Sequence, residues 1–199
     1  MKSRSAGSII APIAVGALTV GAVAYKAIRS GSGPRGSIAL AGDSYAAGIG
    51  PAIALPPELR QGPDLDFVCT AIPGSTTAQW AAQMEQSTGT HERRWLVFSL
   101  GTNDSGRRLD LLSTDIDRIV RVVREHGSGL AWIAPPRAVL EKLPDAEGCW
   151  KRWRRVVGEG RCFDTDSHVK VELGPDGLHP IDYRPWAEAF WSWLAVLTA

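Results

Sequence analysis

Ser37-Ile38-Ala39-Leu40-Ala41 runs straight into Gly42-Asp43-Ser44-Tyr45, and this stretch decides how the chain folds. Five small or apolar residues read as a buried strand. The Gly-Asp-Ser that follows reads as a turn at its carboxyl end, which sets a serine on a sheet edge. The same pattern recurs outward along the chain. Asp66 to Cys69, Trp95 to Leu100 and Leu130 to Ala134 read as strands, and Arg161 to Asp164 as a weaker fifth. Helical patterns lie between and after them, at about Thr76 to Gln86, Leu109 to His126, Ala146 to Val157 and Arg184 to Leu197. In the second of these, Leu112, Ile116, Ile119, Val120 and Val123 recur at helical spacing. Continuous apolar strands alternating with amphipathic helices predict an α/β fold, with a parallel sheet covered on both faces.

Functional groups in such sheets gather outside the carboxyl ends of the strands. The first strand delivers Ser44 there. The second leads into Ala71-Ile72-Pro73-Gly74-Ser75-Thr76, with Gly74 in a turn. The third enters Gly101-Thr102-Asn103-Asp104 directly. The fifth is followed, after a loop, by Asp176-Gly177-Leu178-His179-Pro180.

These residue types suit acyl transfer. A serine hydroxyl is a weak nucleophile until a base removes its proton, and histidine titrates in the right range to do so. A carboxylate holds the imidazole in the useful tautomer, and one tight turn can present both Asp176 and His179. The oxyanion needs placed donors. The Ser44 and Gly74 backbone N–H groups and the Asn103 amide are the candidates. Taken singly, Gly-Asp-Ser, Gly-Thr-Asn-Asp and Asp-Gly are ordinary turn or cap sequences. Their order along the chain, each after a predicted strand, gives them weight. His91, His126 and His168 are expected to be structural or solvent-exposed.

On these blocks the chain resembles the SGNH/GDSL hydrolases, which include lysophospholipase-like enzymes and carbohydrate acetyl-esterases. The first block is Gly42-Asp43-Ser44-Tyr45, with Tyr45 where many members have leucine. Gly74 matches the second block's glycine, Gly101-Thr102-Asn103-Asp104 the third block, and Asp176-Gly177-Leu178-His179-Pro180 the last. The resemblance spans Ser37 to the C-terminus. It implies a three-layer α/β/α, flavodoxin-like fold and a central five-stranded parallel sheet. It also implies a Ser44–His179–Asp176 triad, with no metal and no organic cofactor. The tyrosine is not expected to touch the catalytic roles. No Gly-x-Ser-x-Gly elbow is present, against the usual α/β-hydrolase fold.

The expected activity is hydrolysis of a carboxylic ester with a short acyl group, on a small-molecule, glycan or lipid substrate such as an O-acetyl sugar or a lysophospholipid. Acyl transfer to a sugar, or silent binding of a glycan or lipid, are the alternatives. The stretch Pro135 to Trp150 is positioned to flank an acyl pocket.

Formal net charge is +1, so no overall field points to nucleic acid. The N-terminus differs in kind from the rest. Lys2 and Arg4 precede an uncharged, Ala/Gly/Val-rich run, and Lys26 and Arg29 follow it. Residues 1–29 read as an export signal or a single membrane anchor, 30–36 as a flexible linker and 37–199 as the catalytic domain. An exported or membrane-anchored, extracytoplasmic protein is the expectation. In that setting a disulfide is permitted, with Cys149 and Cys162 the better candidates and Cys69 a buried thiol. No cysteine spacing suits zinc. The eight tryptophans are expected in the core, with a sugar-stacking surface as the other reading. Lys151, Arg152, Arg154 and Arg155 read as a solvated basic face, or else as a contact for anionic lipid.

Overall fold

A computed structural model describes residues 37–52, 67–86 and 95–198. The N-terminal segment and the linker lie outside the described residues, as does His91. The strands are β1 (Ile38–Gly42), β2 (Phe67–Ala71), β3 (Trp95–Ser99), β4 (Gly129–Ala134) and β5 (Cys162–Asp164). The helices are α1 (Ser44–Ala52), α2 (Thr77–Gln86), α3 (Leu109–Glu125), α4 (Glu147–Val157), the short α5 (Thr165–His168) and α6 (Arg184–Thr198).

The five strands form one sheet in the order β2-β1-β3-β4-β5, and every pairing is parallel. That is the doubly wound, flavodoxin-like order. The chain leaves β1 toward β2 and then crosses to β3 on its other side, so the strand order reverses at β1. Doubly wound sheets open a crevice at the carboxyl ends beside such a reversal. Gly42 stands level with Ala71 on one side and Ser99 on the other. A Cβ at Gly42 would lie 2.1 Å from the Ser99 carbonyl oxygen, and its φ of 148° also favours glycine. The first motif glycine is therefore fixed by how closely β1 meets β3.

The core explains the rest of the pattern. All five residues of β1 are buried, as are Leu112, Ile116, Ile119, Val120 and Val123 of α3. Each buried Ile, Leu or Val side chain among them contributes roughly 2 kcal/mol. Asp110 in the first turn of α3 and Arg124 in the last suit its dipole. Six of the tryptophans, Trp80, Trp132, Trp150, Trp153, Trp186 and Trp191, are buried. Trp132 stacks on Trp153 at 6.4 Å and donates its indole N–H to the Leu100 carbonyl at 3.0 Å. The core reading of the tryptophans holds over the sugar-stacking one.

Several expectations are corrected. Helix α1 went unread because Gly48, Gly50 and Pro51 are poor helix formers. Packing explains the glycines: a Cβ at Gly48 would lie 2.3 Å from the Tyr183 ring, and one at Gly50 2.3 Å from the Cys69 sulfur. Cys149 and Cys162 are buried free thiols with no disulfide between them. Cys149 packs beside Gly101, whereas Cys162 opens β5 level with Trp132. The basic residues of α4 are largely engaged in ion pairs. Lys151 meets Glu147, Arg152 meets Asp117, and Arg154 meets Asp164 at 3.3 Å.

Candidate active site

Ser44 is the first residue of α1, directly beyond β1. Asp43 before it caps the helix, accepting the Tyr45 backbone N–H at 3.0 Å. The loop after β5 returns His179 to the serine. The His179 Nε2 lies 2.9 Å from the Ser44 Oγ, and the Nδ1 lies 2.7 Å from the Asp176 Oδ2. The other Asp176 oxygen accepts the backbone N–H groups of Leu178 at 2.9 Å and His179 at 3.0 Å. These bonds, with the imidazole first among them, hold the Asp176 carboxyl far below its ordinary pKa. An ionised carboxylate only accepts, so Nδ1 carries the proton and Nε2 is left to accept from the serine hydroxyl.

Asn103 sits in the short 3₁₀ turn Thr102–Asp104 beyond β3. Its amide donates to the Ser75 carbonyl at 3.1 Å and to the Asp43 carboxyl at 3.4 Å. It thus touches the residue after Gly74 and the residue before Ser44. The longer contact exceeds the usual hydrogen-bond range, so that N–H is free to turn to a stronger acceptor. Gly74 has φ 78° in an exposed turn, with open space where a Cβ would be. Among the described residues, no hydrogen bond occupies the backbone N–H of Ser44 or of Gly74. Asn103 is tied to the immediate neighbours of the other two expected oxyanion donors, Ser44 and Gly74.

Asp43 and Asp104 are acids that the motifs contain but whose work they do not reveal. Asp43 is wholly buried, and desolvation pushes its pKa up to about 7. Asp104 is also buried. Its carboxylate accepts the Thr77 backbone N–H at the start of α2 and the Thr77 hydroxyl, and pairs with Arg107 at 3.0 Å. It therefore clamps α2 to the Asn103 turn. Lys142, from the stretch after β4, packs against the turn that carries Asp176 and His179, where a Cβ on Gly177 would meet its stem at 2.6 Å. His126 and His168 lie elsewhere, the first capping α3 and the second stacked on Phe163 at 4.7 Å. No cluster of residues suited to a metal occurs among the described residues.

A family model described as GDSL-like Lipase/Acylhydrolase matches residues 40–182, well over half of the chain. The chain belongs to that family. Members are hydrolases of carboxylic esters, and this GDSL-like chain is one by membership. Solved structures share its fold. One is described as TesA, 20% identical with a TM-score of 0.62, the match covering 81% of this chain and 99% of that one. The lipase/acylhydrolase from Enterococcus faecalis is 18% identical at TM-score 0.59, covering 81% and 95%. Axe2, an acetylxylan esterase from Geobacillus stearothermophilus, is 17% identical at TM-score 0.59, also covering 81% and 95%. No curated protein sequence matches the chain.

Proposed function

We propose that this GDSL-like chain is a serine esterase for short-chain carboxylic esters, such as an O-acetylated sugar or a lysophospholipid-type ester. Ser44 is the nucleophile, His179 the base and Asp176 the group that orients it. The observation that carries the reading is the unbroken run of hydrogen bonds from Asp176 through His179 to Ser44, at 2.7 and 2.9 Å. As the serine oxygen attacks the ester carbonyl, its proton passes to Nε2. The carbonyl oxygen becomes an oxyanion facing the N–H groups of Ser44, Gly74 and Asn103. Collapse expels the alcohol, which takes the proton from His179 and leaves an acyl-serine. Water then attacks the acyl carbon, with His179 again as base, and the carboxylic acid departs.

Two features favour a small acyl group and water as acceptor. The His179 and Asp176 side chains are 45% and 50% exposed, so water reaches the acyl-enzyme without a lid having to open. Axe2, which shares the fold, is described as an acetylxylan esterase. The basic, apolar, basic order of residues 1–29 supports action outside the cytoplasm, in the cell envelope. Among the described residues no helix is long and apolar enough to cross a membrane, so tethering rests on that N-terminal segment alone.

The full chain is expected to release p-nitrophenol from p-nitrophenyl acetate faster than from long-chain esters. Ser44→Ala is expected to lower kcat by a factor on the order of 10⁶. Wild-type turnover in that variant would remove Ser44 from its role. Chromatography of the acetyl products in the presence of sugar acceptors separates hydrolysis from acyl transfer.

A further inference from the structure

Tyr45 stands beside the nucleophile on the first turn of α1 and is 1% exposed. Its phenol donates to the Leu178 carbonyl at 2.7 Å, and Leu178 immediately precedes His179. The ring lies 5.8 Å from the imidazole, tilted by 46°. It also meets the buried Trp186 of α6 edge-on at 5.3 Å. Burial, followed by the nearby Asp43 charge, raises the phenol's pKa well above its ordinary value, so it remains a donor at any working pH.

The turn that carries Asp176 and His179 has mostly short-range support. Gly174 N–H donates to the His179 carbonyl at 2.7 Å, Gly177 N–H to the Gly174 carbonyl at 2.9 Å, and Ile181 N–H to the Glu172 carbonyl at 3.0 Å. Asp176 accepts from the backbone of its own turn. These bonds set the internal shape of the turn and say nothing about its distance from Ser44. Among the described residues, two hydrogen bonds cross from the first turn of α1 to this loop. One is the reacting contact between Ser44 and His179, and the other is Tyr45 to Leu178. The first must break and re-form in each turnover. The second has no part in the chemistry and can persist throughout. A leucine in this place supplies packing and no donor.

We propose that Tyr45 is a positioning residue: its hydroxyl, bonded to the Leu178 carbonyl, holds His179 at proton-transfer distance from Ser44. This rests on the esterase reading above. The expected behaviour follows from the cost of misplacement, since a 1 Å error in a catalytic group costs roughly a hundredfold in rate.

Tyr45→Phe keeps the ring and deletes the donor. In the full chain, with p-nitrophenyl acetate, kcat is expected to fall roughly tenfold while KM stays within about twofold. The thermal midpoint is expected to move by no more than about 4 °C, the size of one lost hydrogen bond. The wild type is expected to show a downfield NMR resonance for the His179 Nδ1–H, and in Tyr45→Phe that resonance is expected to shift or broaden. Tyr45→Leu is expected to lose the same rate and more stability, because the contact with Trp186 goes too. Wild-type kcat together with an unchanged resonance in Tyr45→Phe would overturn the proposal. So would a rate loss that vanishes once corrected for the folded fraction. If the wild type itself cleaves no ester, the esterase reading falls, and the resonance alone then decides the positioning role.

Discussion

At the scale of single residues, the site depends on side chains whose partners are themselves held. Asn103 is held by its bond to the Ser75 carbonyl, so on the proposed mechanism its amide is placed before any oxyanion forms. Asn103→Ala is expected to lower kcat by roughly 10² to 10³ with little change in KM, the cost of one oxyanion donor; steady-state kinetics on p-nitrophenyl acetate reads this. Asp43 carries a different signature. Its folded pKa of about 7 lies above the ordinary aspartate value, so the native state binds that proton more tightly than the unfolded chain does. Its contribution to stability is therefore complete below about pH 4 and is lost as pH rises through 7. Asp43→Asn is expected to flatten the pH dependence of stability in that window, where the wild-type slope contributed by this group approaches about 1.4 kcal/mol per pH unit. Urea titrations at a series of pH values test it. Ser44 and Asn103 stand out in the sequence just past predicted strands, and Asp176 and His179 in the loop beyond the fifth; the structure brings Ser44, His179 and Asp176 into one hydrogen-bonded run. The work of Asp43 and Tyr45 was not legible. Burial defines the first, and a partner 133 residues away defines the second, and neither leaves a local trace.

At the scale of elements, the third motif block does two jobs on adjacent residues. Asn103 bonds to Ser75 beside Gly74 while Asp104 anchors the start of α2 through Thr77. Arg107 extends that anchor to Asp115 of α3 at 2.9 Å, and Arg118 carries it on to Glu85 at the far end of α2. Asp104→Ala strips a buried partner from Arg107 and Thr77. It is expected to cost on the order of 3 kcal/mol, chiefly because the buried Thr77 N–H and hydroxyl lose their acceptor while Arg107 keeps Asp115; chemical denaturation measures it. The strands and the long helices were readable to within a few residues because their apolar periodicity is imposed by burial. Helix α1 was not, because Gly48 and Gly50 answer to Tyr183 and Cys69, which lie elsewhere in the chain. The α4 arginines show the same limit from the other side. Their partners Asp117, Glu159 and Asp164 belong to other elements, so the sequence displays the charges without their neutralisation.

At the scale of the whole molecule, the sheet order brings the ends of β1 and β3 together at the strand reversal, and the loop beyond β5 folds back to meet them. Trp132 sits at the centre of this arrangement. It stacks on Trp153 and bonds the carbonyl of Leu100, just ahead of the third block. Core and site are thus built from the same contacts, and the two are expected to fail together. Tryptophan fluorescence, far-ultraviolet circular dichroism and residual ester cleavage should trace one coincident transition in urea. Loss of cleavage well before the spectroscopic change would show that the site melts on its own. The bond between Ser44 and His179 spans 135 residues of chain, which has a meaning for how the enzyme comes into being. On the proposed mechanism, neither the strand that bears Ser44 nor the loop that bears His179 has hydrolytic power alone, so the nucleophile stays latent until the loop beyond β5 closes on β1.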